Sequence, residues 1–195
     1  MNYPLSLAFK VVTLASEVSA TDASGAIVAY VKQKAFRLKE DIEVYADASK
    51  ARLIYRIKAD RVIDFSARYH FSDAEGNPLG SIKRQGMRSL WKASYDVEDE
   101  AGRVVFTVTE ANPWVKVLDA LMSEIPIVGM FTGYLFHPAY HLTAPDGAVS
   151  LTLEKQPSFI GRRFAIHENR DVPIDDEVRG LLAMIMVVLL ERMRG

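Results

Sequence analysis

Hydrophobic and polar residues alternate along most of this 195-residue chain. Segments such as "IEVYA", "RLIYRIK", "FSARYHF", "KASYDV", "VVFTVT" and "VSLTLE" set β-branched or aromatic side chains at alternate positions. A period of two places those side chains on one face of a strand. Between the segments the same punctuation returns: "DASG" from Asp22, "DAEG" from Asp73, "DEAG" from Asp99 and "PDG" from Pro145. Six positions after each glycine stands an aliphatic residue: Val31 after Gly25, Ile82 after Gly76, Val108 after Gly102 and Leu153 after Gly147. "DASKARLIYRIK" from Asp47 reads as a fifth copy, with Ala51 at the glycine position and Ile57 six further on. Positions 25, 51, 76, 102 and 147 are separated by 26, 25, 26 and 45 residues, the last interval being one period plus an insertion.

Aspartate supplies a side-chain acceptor and glycine a positive φ, the two requirements of a tight hairpin loop. Each period therefore encodes strand, hairpin turn, strand and a broader corner. With a further strand near Phe9 to Val18, the pattern predicts eleven or twelve strands in antiparallel order. A sheet that wide curls, and closing it removes its exposed edges.

The last segment breaks the alternation. From Leu181 to Leu190 ten apolar residues follow one another. The run is about half the length that spans a bilayer, and it is apolar on every side, which marks a helix buried all round. A helix over 176–193 is about 27 Å long, matching the height of a barrel of tilted strands roughly eight residues long. Asp175, Asp176 and Glu177 at its start, with Arg192 and Arg194 at its end, suit the helix dipole. The expected fold is mainly β: one domain over 1–195, a closed antiparallel barrel of about twelve strands around a buried hydrophobic carboxy-terminal helix.

Composition changes this picture only by exclusion. At 49% hydrophobic the chain has material for a real core, and a net charge of −1 gives no global field for nucleic acid. The absence of cysteine excludes disulfides, zinc–thiolate sites and palmitoyl anchoring. "MNYPLSLAFK" lacks a basic start and Lys10 interrupts its apolar stretch, so it reads as a strand, and a cytoplasmic location is expected.

Charge is segregated along the repeat. The turns are acidic: Asp22, Asp47, Asp73, Glu75, Glu98, Asp99, Glu100 and Asp146 against Lys50, Arg52 and Arg103. Three corners are basic: Lys32, Lys34, Arg37 and Lys39; Lys83, Arg84, Arg88 and Lys92; Lys155, Arg162 and Arg163. Phe36, Trp91 and Phe159 sit among them. If turns and corners alternate, they lie at opposite ends of the barrel. Cations interleaved with aromatics are what an anionic membrane surface or phosphorylated head group selects; the plainer reading is a set of solvated corners with aromatics beneath them. The candidate lipid or anion contacts are Lys32, Lys34, Arg37, Lys83, Arg84, Arg88, Trp91, Lys92, Arg162 and Arg163.

The insertion, about 113–136, opens with Asn112 as a cap and Pro113 at a first helical position. An amphipathic helix follows, with Trp114, Val117, Leu118, Leu121 and Met122 on one face, then an uncharged stretch from Ile125 to Phe136. It either caps a barrel mouth or presents Trp114, Leu118, Leu121, Met130 and Phe131 to a membrane, a protein partner or a second copy. His137 and His141 have the spacing of two metal ligands, but no third recurs. No catalytic residue, metal site or cofactor is assigned, and no nucleic-acid partner is expected. "HENRD", from His167 to Asp171, reads as connection and capping before the helix.

"YVKQKAFRLKEDIEVYAD", "FSDAEGNPLGSIKRQGMRSLWKASYDV" and "LEKQPSFIGRRFAIHE" resemble the LURP-one-related and phospholipid scramblase-like branch of the Tubby C-terminal-like fold, over roughly residues 20 to 190. The resemblance implies a barrel wrapped on a carboxy-terminal helix and a non-enzymatic binding role, at anionic lipid or in a regulatory scaffold. Scramblase-type proteins are associated with acylated cysteines and a calcium-binding segment, neither of which is recognisable here, so scramblase activity is not expected.

Overall fold

A computed structural model describes residues 1–12, 15–34, 41–60, 67–85, 94–111, 139–158 and 162–192. Twelve strands form one closed barrel. In chain order they are β1 Leu5–Val12, β2 Ala15–Thr21, β3 Ile27–Lys34, β4 Asp41–Tyr45, β5 Leu53–Ala59 and β6 Arg68–Asp73. They continue with β7 Pro78–Arg84, β8 Ser94–Glu98, β9 Val104–Glu110, β10 Ala139–Thr143, β11 Val149–Gln156 and β12 Arg162–Glu168. Helix α1, Ile174–Arg192, follows. Every strand pairs antiparallel with its neighbours in sequence, and β1 closes on β12 through Leu5↔Ile166, Leu7↔Phe164 and Phe9↔Arg162. At a strand spacing near 4.8 Å, twelve strands make a barrel roughly 20 Å across, wide enough for a helix.

The alternation read from the sequence is the alternation of the wall. Ile42 and Val44 point inward while Asp41 and Glu43 face water, and the same holds for Phe106 and Val108 between their neighbours. The aliphatic residue six places after each turn glycine is buried in every copy: Val31, Ile82, Val108 and Leu153. Against this wall lies α1, whose residues Leu181 to Leu190 are all buried. It comes so close to β11 that a Cβ on Gly180 would lie 2.8 Å from the Leu151 side chain.

The hairpin turns share one construction. The Gly25 N–H donates to the Asp22 carbonyl and the Asp22 N–H to the Ala26 carbonyl, each at 2.9 Å. The same pair recurs at Asp73 to Asn77, Asp99 to Arg103 and Ala144 to Ala148. Each loop glycine has a positive φ, and the ladder shifts register beside every such loop, a type I turn with a bulge.

Three expectations need adjustment. The fifth copy places Lys50, not Ala51, in the left-handed conformation, at φ 60. Its loop is longer, the Ala46 N–H closing on the Arg52 carbonyl, so the position three after the aspartate is Lys50. The single strand expected near Phe9 to Val18 is two, β1 and β2, paired from Ser6↔Thr21 to Val12↔Ala15. The helix starts at Ile174, two residues before the expected position. The insertion, with the expected helix from Trp114, lies outside the described residues.

Candidate functional site

Antiparallel neighbours in chain order force the connections to alternate between the two barrel ends. The β2–β3, β4–β5, β6–β7, β8–β9 and β10–β11 hairpins, with the linker into α1, occupy one rim, called here the turn rim. The other connections, and the end of α1, meet at the opposite corner rim.

The turn rim is acidic and its five turn aspartates are engaged. In Asp22 the carboxylate accepts from the Ser24 hydroxyl at 2.6 Å and from the Ser24 and Ala26 N–H groups, and the Ser24 bond is the main reason its pKa lies below the usual range. Asp47, Asp73, Asp99 and Asp146 are lowered in the same sense, led by bonds from the Ser49 side chain, the Asn77 side chain, the Arg103 backbone and the Arg170 side chain respectively. Arg103 pairs with Asp99 at 2.7 Å and Arg170 with Asp146 at 2.6 Å, whereas Lys50 and Arg52 of the β4–β5 turn are exposed and make no ion pair among the described residues, Lys50 lying over the Tyr45 ring. Arg179 of α1 is buried at this mouth, donating to the Leu79 carbonyl and Asp176 at 2.6 Å and to Glu100 at 2.5 Å. These bonds tie the polar start of the helix to β7 and to the β8–β9 turn.

The corner rim is the reverse. Among the described residues Lys83, Arg84, Lys155, Arg162 and Arg163 have neither an ion pair nor a hydrogen-bonded side-chain partner, and the Arg84 Nε is buried without a hydrogen bond. Lys83 points outward at the end of β7, while Arg84 is half-buried and shares the inward parity of Gly80 and Ile82. Arg162 and Arg163 are exposed at the start of β12, and Lys155 borders a shallow cleft of about 340 Å³ with Ala139, Glu154 and Pro157.

The structure thus sorts the sequence candidates. Lys32 stands on the outer wall rather than on a corner: its Nζ is 2.9 Å from Glu17, which holds the ammonium above its ordinary pKa. Lys34 ends β3 at the corner rim. Arg37, Arg88, Trp91 and Lys92, and the apolar candidates Trp114, Leu118, Leu121, Met130 and Phe131, lie outside the described residues. So does His137; its companion His141 stands opposite Thr152, which pairs on its other side with His167. Alternation alone could have shown Arg84 to be inward, since it lies two residues beyond the buried Ile82.

No helix among the described residues is long and apolar enough to cross a membrane. The outer wall carries Glu17, Lys32, Arg56, Lys58, Asp96 and Glu154 where a membrane-spanning barrel needs an apolar band about 25 Å tall.

A wall of twelve antiparallel strands wound on a hydrophobic carboxy-terminal helix defines a class of protein in which the core is a helix. The family model described as LURP-one-related matches residues 27–191, and the chain belongs to that family. Comparison with curated proteins and with solved structures gives no match. Family membership supports a binding domain.

Proposed function

We propose that the protein is a non-enzymatic binding module that docks its corner rim on an anionic membrane surface, as a peripheral and reversible contact. The observation that carries this reading is the set of corner-rim cations: Lys83, Arg84, Lys155, Arg162 and Arg163 have no ion pair among the described residues, whereas Arg103, Arg170 and Arg179 at the turn rim are held by Asp99, Asp146 and Asp176. Unpaired cations keep their charge for a ligand and need not break an internal ion pair to bind it.

Topology adds an argument about shape. The β3–β4, β7–β8 and β11–β12 corners are four strands apart in a ring of twelve, so they divide the rim into thirds. The described bases at the end of β7, the end of β11 and the start of β12 are spread around this rim, which suits a membrane plane better than one small anion. Each base near an anionic leaflet contributes about 1 kcal/mol, screened within a Debye length. Five described cations therefore give a moderate, salt-sensitive attraction.

Vesicle flotation tests this. The protein is expected to float with phosphatidylcholine vesicles containing phosphatidylserine, and to lose that association in high salt or with phosphatidylcholine alone. Flotation indifferent to anionic lipid and salt, or absent throughout, refutes the reading.

A further inference from the structure

The turn rim carries a cleft of about 370 Å³ between the β8–β9 turn, the β10–β11 turn and the linker from β12 into α1. Its apolar lining includes Val104, Pro145, Val172 and Pro173, with Val104 41% exposed although it begins a strand of the barrel. Beside it, Arg170, Asp171 and Val172 make no backbone hydrogen bond to another backbone group among the described residues. The linker therefore offers free N–H and C=O groups next to an apolar floor, the combination that receives an extended peptide. The volume sits at the small end of ligand sites and holds a few residues rather than a whole interface.

The charge of the cleft selects the occupant. Both arginines of its lining are already held by turn aspartates, Arg103 by Asp99 and Arg170 by Asp146. Asp171 has no ion pair among the described residues, and Asp176 shares Arg179 with Glu100. Spare negative charge thus borders apolar surface, and a cation carried next to an apolar side chain complements both.

We propose that this cleft docks a short segment of a partner protein in which basic and apolar residues alternate. The site lies on the rim opposite the proposed membrane contact, so it stays open when the corner rim is occupied, and it does not rest on that reading. A module with both contacts would hold a basic partner segment at a fixed distance above a membrane.

The test uses the full chain, no lipid, and a fluorescein-labelled hexapeptide of alternating arginine and leucine; glutamate replaces arginine in the control peptide. Fluorescence anisotropy is expected to show saturable binding of the basic peptide only. Asp171→Lys and Val104→Lys, both at exposed positions, should each weaken it about fivefold or more, while Glu75→Lys, the same charge reversal in the exposed β6–β7 turn, should change it by less than about twofold. No binding overturns the proposal. An equal loss in all three variants overturns it in favour of unspecific attraction to an acidic rim. Concentration-dependent self-association that Asp171→Lys abolishes overturns it by assigning the cleft to a second copy of the chain.

Discussion

Met184 stands in the middle of α1 with no solvent exposure, and Ile174, at the start of the same helix, is 75% exposed. Placing aspartate at each position asks whether the helix is the core of the barrel or an appendage to it. At Met184 the change removes a buried side chain, which costs about 2–5 kcal/mol with the cavity it leaves. It also buries a carboxyl group with no partner, adding roughly 2–7 kcal/mol even if the group becomes neutral. The sum is comparable to the whole stability of a domain, about 5–15 kcal/mol, so Met184→Asp should not fold. Met184→Ala pays only the first cost and should fold with a melting temperature lower by roughly 6–15 °C, at about 3 °C per kcal/mol for a chain of this size. Ile174→Asp puts an acid at a helix start, which the dipole favours by about 0.3–1 kcal/mol, and should leave stability unchanged or slightly raised. Circular dichroism melts of the three variants decide the matter. A soluble Met184→Asp variant melting near the parent temperature would refute the buried-helix account.

Three further outcomes follow from the same geometry. A Cβ on Gly80, at φ 137, would lie 2.1 Å from the Glu98 carbonyl oxygen, whereas one on Gly25 meets nothing within 4 Å; urea denaturation should find Gly80→Ala several kcal/mol less stable and Gly25→Ala only about 1–2. Arg179→Leu strips the Leu79 carbonyl, Asp176 and Glu100 of their donor, and should cost about 1–3 kcal/mol because Glu100 remains half exposed. The five turn aspartates have pKa values lowered by folding, so their stabilisation is complete above the unfolded carboxylate range and is lost as pH falls below about 4. Melting temperature should drop on that acid limb, and Asp73→Asn should make the drop shallower; a limb unchanged by the substitution would show that this turn does not contribute.

The parts of the fold readable in advance are those where one physical requirement recurs. Aspartate three residues before a positive φ marks four of the five turns, Ala144 taking its place before Gly147, and ten unbroken apolar residues have no place but the inside of a wall. Where an unusual residue meets the requirement the pattern misleads: Lys50 takes the left-handed position without being glycine, so the glycine pattern points one residue too far, to Ala51. Between β1 and β2 the sequence "VVTLAS" offers no glycine, proline, asparagine or aspartate, so two strands read as one. Charges were legible as a list but not as a geometry. Lys32 looked like a corner base because its pairing with Glu17, fifteen residues earlier, depends on strand register. The turn-rim cleft was invisible for the same reason: "HENRD" reads as a connector until Arg170 meets Asp146 and Asp171 is left beside Val104 and Pro145.

The measurement closest to the central claim is vesicle flotation of a Lys83→Glu, Arg162→Glu, Arg163→Glu variant beside an Asp22→Lys, Glu75→Lys variant, with folding verified for both by circular dichroism. All five positions are exposed or half-exposed, so the fold should tolerate either set. If the corner rim faces the membrane, the first variant loses its association with phosphatidylserine vesicles, and the second keeps it or binds more strongly. Undiminished flotation of the corner-rim variant would contradict the account and move the contact away from these bases.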